Sequence, residues 1–412
     1  MSQTLAQKLV AKAAGKPHVT PGDIVVCKVD LAMVHDSSGP RRLKPMLERL
    51  GAKIWDPNKL VVITDHYVPG YDEESRKILR IAREWVREAG VERFHDAEGI
   101  CHVVLHEHAY LRPGMFAVGG DSHSPTGGAF AAYMFGIGAT EMLGVAVTGE
   151  IWLRVPHTIA MHFDGELAPG VCAKDVMLFL IGRFGLDGGQ YQAVEYRGPA
   201  IGKLPMQERM TLCNMTAELG GQTGLIASDE VTRAYLDVAI EPWHGDENAP
   251  VLAEHRFDAG RIAPQVAAPH SPAKSAPVTE FAEKLDLAYI GACTGAKLVD
   301  LRMAARVLKG RKAKAKLIVA PASRRDQQIA EREGTLKVLL DAGAELLPTS
   351  CGMCAGYGER VLAENAVAIS TTARNFRGRM GAASAQVYLA SPYTVAASAV
   401  AGRIADPREV LQ

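Results

Sequence analysis

The run LDLAYIGACTGAKLVDLRMAARVLKGRKAKAKLIVAPAS (285–323) changes its pattern twice. LDLAYIGAC (285–293) is a short apolar run closed by a glycine turn, as a buried strand is. KLVDLRMAARVLKG (297–310) reads as a helix stopped by Gly310, and KLIVAPAS (316–323) returns to strand. RRDQQIAEREGTLKVLLDAG (324–343) predicts the next helix, and AELLPTS (344–350) and NAVAIST (365–371) two further strands. Such alternation builds a mainly parallel sheet covered by helices, so the class is α/β. Cys293 and Cys351 each follow a predicted strand directly, where ligand sites gather in open α/β sheets.

The same alternation extends toward the N-terminus. GDIVVCKVD (22–30) and LVVIT (60–64) read as strands. From Asp72 to Gly90 the apolar residues Ile78, Leu79, Ala82, Trp85 and Val86 share one helical face. QVAAPHSPAKSAP (265–277) has three prolines and no periodicity, and is expected to link a middle region to a C-terminal domain. A weaker boundary is expected near Val155-Pro156.

Composition excludes several classes. Lys+Arg is 46 and Asp+Glu is 46, so the net charge of zero offers no electrostatic draw to nucleic acid or anionic membrane. The basic run KGRKAKAK (309–316) lacks interleaved aromatics and reads as a solvated helix end and loop. Gly127 to Leu153 is the most apolar stretch, but Glu141 and Glu150 interrupt it, and a span needs ~20 uncharged residues. The N-terminus lacks the unbroken apolar core of a secretion signal, so a cytoplasmic location is expected. The seven cysteines are therefore expected as buried thiols, catalytic groups or metal ligands rather than disulfides.

Several residues have the types and placement for chemistry. Cys351-Gly-Met-Cys354 is a C-x-x-C on a glycine-flanked turn, and Cys293 lies on another turn after a strand. Inert turn cysteines, a redox dithiol and a zinc site are alternatives, although no fourth zinc ligand lies nearby in sequence. Three thiolates also suit a [4Fe–4S] cube with one iron open as a Lewis acid. Asp65-His66, His102 and Asp121-Ser122-His123 lie on turns after strands, where a carboxylate can fix an imidazole's tautomer or charge. STTARNFRGRMG (370–381) sets Arg374, Arg377 and Arg379 in a polar loop, and guanidinium forks bind carboxylates. TLCNMTAELGG (211–221) is helix-like and would set Asn214 and Glu218 on one face.

Taken together, TDHYVPG (64–70), GDSHSPTGGAFAAYMFGIGATEM (120–142), CNMTAELGG (213–221), GACTG (291–295), TSCGMCAG (349–356) and ARNFRGRMG (373–381) resemble the motifs of the aconitase superfamily, in that family's order. The likeness is greatest to its 3-isopropylmalate dehydratase large-subunit branch. It implies an aconitase-like α/β architecture of three domains, 1–155, 156–270 and 271–412. It implies a [4Fe–4S] cluster on Cys293, Cys351 and Cys354, whose open iron would bind the hydroxyl and one carboxylate of a small 2-hydroxy acid. The reaction implied is dehydration to an alkene, then rehydration at the neighbouring carbon. Asp65–His66, Asp121–His102 and Glu218–His123 would be carboxylate–imidazole pairs, with His66 protonating the departing hydroxyl. Arg374 and Arg379 would bind substrate carboxylates. Ser122 and Asn214 would line the pocket, and His35 would make a polar substrate contact.

The likeness has departures. The family usually has serine and asparagine around its Cys-Thr dipeptide, where this chain has Ala292 and Gly295, and asparagine where it has Ala373. These changes suggest a divergent branch with an altered substrate or cluster environment. No G-S-S-R-E-like loop is found, so the family's C-terminal swivelling domain is expected on a separate small subunit. The substrate could then be isopropylmalate, homocitrate or homoaconitate, dimethylmalate or another hydroxy acid. A cluster-free RNA-binding protein and a zinc scaffold are the readings from other classes.

Overall fold

A computed structural model of the chain describes residues 2–357 and 360–411. The described residues form a mixed α/β structure with four sheets. The first is five-stranded and parallel, in the order Phe94–Asp96, Leu60–Thr64, Leu31–His35, Phe116–Gly119, Tyr133–Gly136. Leu31–His35 and Leu60–Thr64 are buried at every position, as parallel strands covered on both faces must be. Alternate residues feed two cores: Met33, Val61 and Ile63 join one, Val34, Val62 and Val118 the other.

The chain enters this sheet at its centre, Leu31–His35, and winds to one edge. It then returns to Phe116–Gly119 on the other side. The neighbouring carboxyl ends of these two strands are a topological switch point, where connections diverge and leave a crevice. The last sheet repeats the device. Its order is Ser275–Pro277, Gln265–Ala267, Gln386–Ala390, Val367–Ser370, Leu287–Ile290, Lys316–Val319, Glu345–Leu346. Its switch point lies between Leu287–Ile290, which leads to Cys293, and Val367–Ser370, which leads to Arg374.

A four-stranded parallel sheet, Thr223–Leu225, Ala193–Arg197, Thr158–Asp164, Ala253–Asp258, lies between these two in sequence. One continuous core joins it to the last sheet, bringing Met161, Val176 and Leu212 together with Leu301, Val319 and Ile369. A two-stranded ribbon, Ile24–Lys28 with Glu150–Arg154, completes the set. Backbone bonds tie the first sheet to the last: Cys351 N donates to Asp65 O (2.9 Å), Ile100 N to Ala322 O (2.8 Å) and Arg324 N to Glu98 O (2.8 Å).

Three local expectations change. The single helix expected over 324–343 is two, Arg324–Arg332 and Thr335–Asp341, because Gly334 takes a left-handed φ of 86° between them. The stretch 265–277 is not a free linker. It is a hairpin whose first strand is buried against Gln386–Ala390, with Gln265 N donating to Asp175 Oδ1 at 2.9 Å. The helix containing Asn214 is Met206–Met215, so Glu218 lies beyond its end, not on its face. Among the described residues, no helix is long and apolar enough to cross a membrane.

Candidate active site

The first sheet delivers its acids and imidazoles at its carboxyl edge. Leu31–His35 ends on His35 and is followed by Asp36, whose buried carboxylate accepts backbone N–H groups from His66 (3.1 Å) and Tyr67 (2.8 Å). Asp36 thereby fixes the turn after Leu60–Thr64. On that turn His66 Nδ1 is 2.6 Å from Asp65 Oδ1, and Asp65 Oδ2 accepts the Cys101 N–H at 2.7 Å. A carboxylate only accepts, so Nδ1 donates and Nε2 is left to serve the cleft. Burial opposes charge on both groups. The attraction between them prevails, holding Asp65 below the usual carboxylate range and His66 above the usual imidazole range.

The His35 ring stacks on His66 with centroids 4.0 Å apart and planes 13° from parallel. His35 Nε2 stands 3.5 Å from Asp121 Oδ2, an ion-pair contact without a hydrogen bond. The Ser37 N–H lies 3.1 Å from Asp36 Oδ1 and 3.2 Å from His35 Nδ1, and the carboxylate accepts it, since a charged imidazole has no acceptor nitrogen. Burial lowers the His35 pKa, but Asp121 and Asp36 outweigh it and push the group up to about 10. Asp121 follows the switch-point strand Phe116–Gly119. Its Oδ1 accepts from His102 Nε2 and from the His123 N–H, each at 2.8 Å. Against the cost of burial, His102 and His35 hold Asp121 well below its ordinary range.

The opposite wall comes from the last sheet and the helix Met206–Met215. His123 Nε2 donates to Glu218 Oε1 at 2.9 Å, and Arg374 Nε donates to the same oxygen at 2.6 Å. Burial would raise the Glu218 pKa, but His123 and Arg374 bring it to about 2. Cys293 and Cys354 are buried, Cys351 is half-buried, and none is disulfide-bonded. Asn214 Nδ2 donates to Cys293 Sγ at 3.3 Å and to Thr126 Oγ1 at 2.8 Å. The neighbouring Cys351 thiol holds Cys354 well below the usual thiol range, against burial and with the Arg379 guanidinium assisting. Around these thiols Asn214 Oδ1, Glu218 Oε2 and Arg379 Nε are buried without a partner.

These groups surround a cleft of about 370 Å³ lined by His35, His66, Asp121, Ser122, Arg374 and Arg379, among others. Two larger hollows, about 580 and 410 Å³, lie elsewhere and contain none of these residues. Eight of the sequence-predicted site residues, His35, Asp65, His66, Asp121, His102, His123, Glu218 and Arg374, form one contact network. Asn214, Cys293, Cys351, Cys354 and Arg379 form its neighbour, and Ser122 lines the cleft. Arg377, quoted with the arginine loop, is not among the cleft-lining residues.

Sequence reading missed Asp36, because nothing marks a lone aspartate as a clamp for a turn thirty residues away. It also missed Lys174 and Lys297, both fully buried beside the Cys293 loop. Lys174 Nζ donates to the carbonyls of Thr371 (3.0 Å) and Thr372 (2.6 Å). Lys297 Nζ donates to Cys293 O at 2.9 Å and to Asp300 Oδ2 at 2.7 Å. Burial brings Lys174 down to about 8. The departures have structural counterparts. Ala292 takes a positive φ of 69° and is fully buried, and at Gly295 the room for a side chain is filled by Thr371.

The model of the "Aconitase family (aconitate hydratase)" matches residues 7–402. The 3-isopropylmalate dehydratase large subunit 1 of Methanopyrus kandleri is 43% identical over 419 residues, spanning 100% of both chains. A probable methanogen homoaconitase large subunit from Methanosarcina mazei is 43% identical over 392 residues, covering 94% of this chain and 100% of that one. Among solved structures, Thermococcus kodakaraensis aconitase X in its holo form matches with a TM-score of 0.52 and 14% identity. It covers 87% of this chain and 88% of that one, a likeness of fold. On full-length relatives and an aconitase-like fold, this chain belongs to the aconitase family of hydro-lyases.

Proposed function

We propose that the chain is the cluster-bearing large subunit of a hydro-lyase that dehydrates and rehydrates a small 2-hydroxy di- or tricarboxylic acid. The substrate assigned is 3-isopropylmalate. A homoaconitase reading stands beside it, because a relative of that name is also 43% identical. The observation that carries the proposal is one juxtaposition: three cysteines and two arginines from the last sheet lie beside the pairs Asp65–His66 and Asp121–His102 of the first sheet and the pair His123–Glu218, which joins that sheet to the segment after Met206–Met215. The three-domain division at 155 and 270, the small-subunit partner and a cytoplasmic location belong to the same proposal.

Cys293, Cys351 and Cys354 would hold a [4Fe–4S] cluster. The donor set fits it. One thiol is already shifted toward thiolate beside a guanidinium, and Asn214 donates to another. A single zinc ion fits poorly. Its thiolate ligands at about 2.3 Å would bring the sulfurs within roughly 4 Å of one another. Among the described residues, the side-chain groups close enough to share one ion contain no cysteine. When bound, the cluster supplies a Lewis-acidic iron to the substrate hydroxyl.

The chain's own residues do the rest. Arg374 and Arg379 bind substrate carboxylates through their guanidinium forks. His66 delivers a proton from Nε2 to the departing hydroxyl, with Asp65 keeping the ring charged and oriented. Asp121 orients His102, and Glu218 orients His123 and Arg374 together. Ser122 and Asn214 line the pocket, and His35 makes a polar contact. The test is turnover of 3-isopropylmalate and of homoaconitate by the reconstituted chain, alone and with its cognate small chain. Activity only with the small chain is expected, and full activity of this chain alone would sink the split-enzyme reading.

A further inference from the structure

A second set of ligating side chains lies outside the cleft. His95 is the middle residue of the edge strand Phe94–Asp96, and Glu98 is on the turn that follows. His108 caps the C-terminus of the helix Cys101–Glu107. Glu98 Oε2 lies 3.0 Å from His95 Nδ1 and 3.0 Å from His108 Nε2. The three donor atoms are all within 4.8 Å of one another. We propose that His95 Nδ1, Glu98 Oε2 and His108 Nε2 form a binding site for one divalent transition-metal ion of the Zn2+ type.

The donor chemistry selects the ion. Two imidazole nitrogens and one carboxylate oxygen suit Zn2+, whereas Mg2+ and Ca2+ ask for shells of oxygen. Tetrahedral bonds of about 2.0–2.2 Å set ligand atoms roughly 3.3 Å apart. The two 3.0 Å spacings therefore need to open by only about a third of an ångström. The Glu98 and His108 side chains are 39% and 40% exposed, so an ion and a fourth, water ligand reach the site without any opening of the fold.

The surroundings are those of an oriented ligand set. His95 Nε2 is 3.0 Å from the Tyr110 hydroxyl, an outer hydrogen bond of the kind that fixes the tautomer of a metal-binding histidine. Arg93 lies over the Tyr110 ring at 4.8 Å. The turn is held from behind, since the Ala97 N–H donates to Thr64 Oγ1 and the Arg324 N–H to Glu98 O, both at 2.8 Å. The ion would bridge the entry and exit of one helix. That helix carries the Cys101 N–H bonded to Asp65 and the His102 bonded to Asp121, so the site clamps a cleft-forming element from its far side.

The test is a Co2+ titration of the full chain under anaerobic conditions, with wild type, His108→Ala and Glu98→Gln compared. Both positions are partly exposed, so the variants are expected to fold. Co2+ on imidazole and carboxylate shows ligand-field bands without the sulfur charge-transfer band of a thiolate site. Metal captured by the cleft cysteines is therefore distinguished, and failure of the hydro-lyase reading would leave this result untouched. The expected result is one equivalent of thiolate-free Co2+, displaced by Zn2+ and bound at least about tenfold more weakly in each variant. Absence of that signal in wild type, or unchanged affinity in both variants, would overturn the proposal.

Discussion

Gly295→Ala tests how the cysteine-bearing loop is built. A Cβ at residue 295 would fall well inside contact distance of Thr371 Cβ and Oγ1, and 2.9 Å from Thr371 O. Thr371 has no room to yield. Its hydroxyl donates to Gly291 O at 2.8 Å and accepts the Gly291 N–H at 2.9 Å. Its carbonyl accepts Thr294 Oγ1 at 2.8 Å and Lys174 Nζ at 3.0 Å. Overpacking a tight core costs about 1–3 kcal/mol. Displacing the Thr371 hydroxyl forfeits two hydrogen bonds at roughly 1 kcal/mol each. The expected loss is therefore about 3–5 kcal/mol in urea unfolding of the full chain. Adding Thr371→Gly removes the obstruction, so the double variant should be more stable than the sum of the single losses by at least about 1 kcal/mol. A loss below about 1 kcal/mol for Gly295→Ala, or strict additivity, would refute the packing argument. The same packing explains why asparagine, usual in the family at this position, is not accommodated here.

Two further outcomes follow from the charge network. Asp65→Asn removes the main group holding the His66 pKa up. If His66 donates its proton, turnover falls as pH rises through that pKa. The alkaline limb of the pH–kcat profile should therefore move to lower pH, and an unmoved limb would take the donor role away from His66. Arg374→Met leaves the Glu218 carboxylate, 1% exposed, with His123 as its remaining partner. Breaking a buried pair costs about 3–5 kcal/mol, and the partial exposure of Arg374 argues for the lower end. Glu218 sits at about 2 in the folded chain, so its stabilisation is present above its ordinary value near 4.5 and lost as pH falls toward 2. In Arg374→Met that acid-dependent loss should shrink, as read from urea unfolding at pH 7 and pH 3.

Legibility differed with the range of the interaction. The strands LVVIT (60–64) and LAYI (287–290) could be read because burial on both faces forces a short apolar run. The candidate site residues after them could be read because carboxyl ends of parallel strands are where side chains meet a ligand. What could not be read depends on distant partners. The hairpin at 265–277 looks like a linker until Gln386–Ala390 is beside it. The Asp36 clamp, the Lys174 contacts and the Gly295–Thr371 contact each join segments far apart in the chain. The split at Gly334 was open to local reading, since a glycine within a helical pattern is a ready left-handed stop. The pairings of His102 with Asp121 and His123 with Glu218 were suggested by family resemblance, and the structure shows each as a hydrogen bond.

Cys293, Cys351 and Cys354 are proposed to hold a [4Fe–4S] cluster next to this cleft, which Arg379 lines. The most direct measurement is anaerobic reconstitution with iron and sulfide, followed by elemental analysis, absorption and EPR, beside Cys354→Ala. Wild type is expected to bind about four irons per chain, and the variant to lose the cluster. A colourless wild-type protein after reconstitution, or an identical cluster in Cys354→Ala, would contradict it.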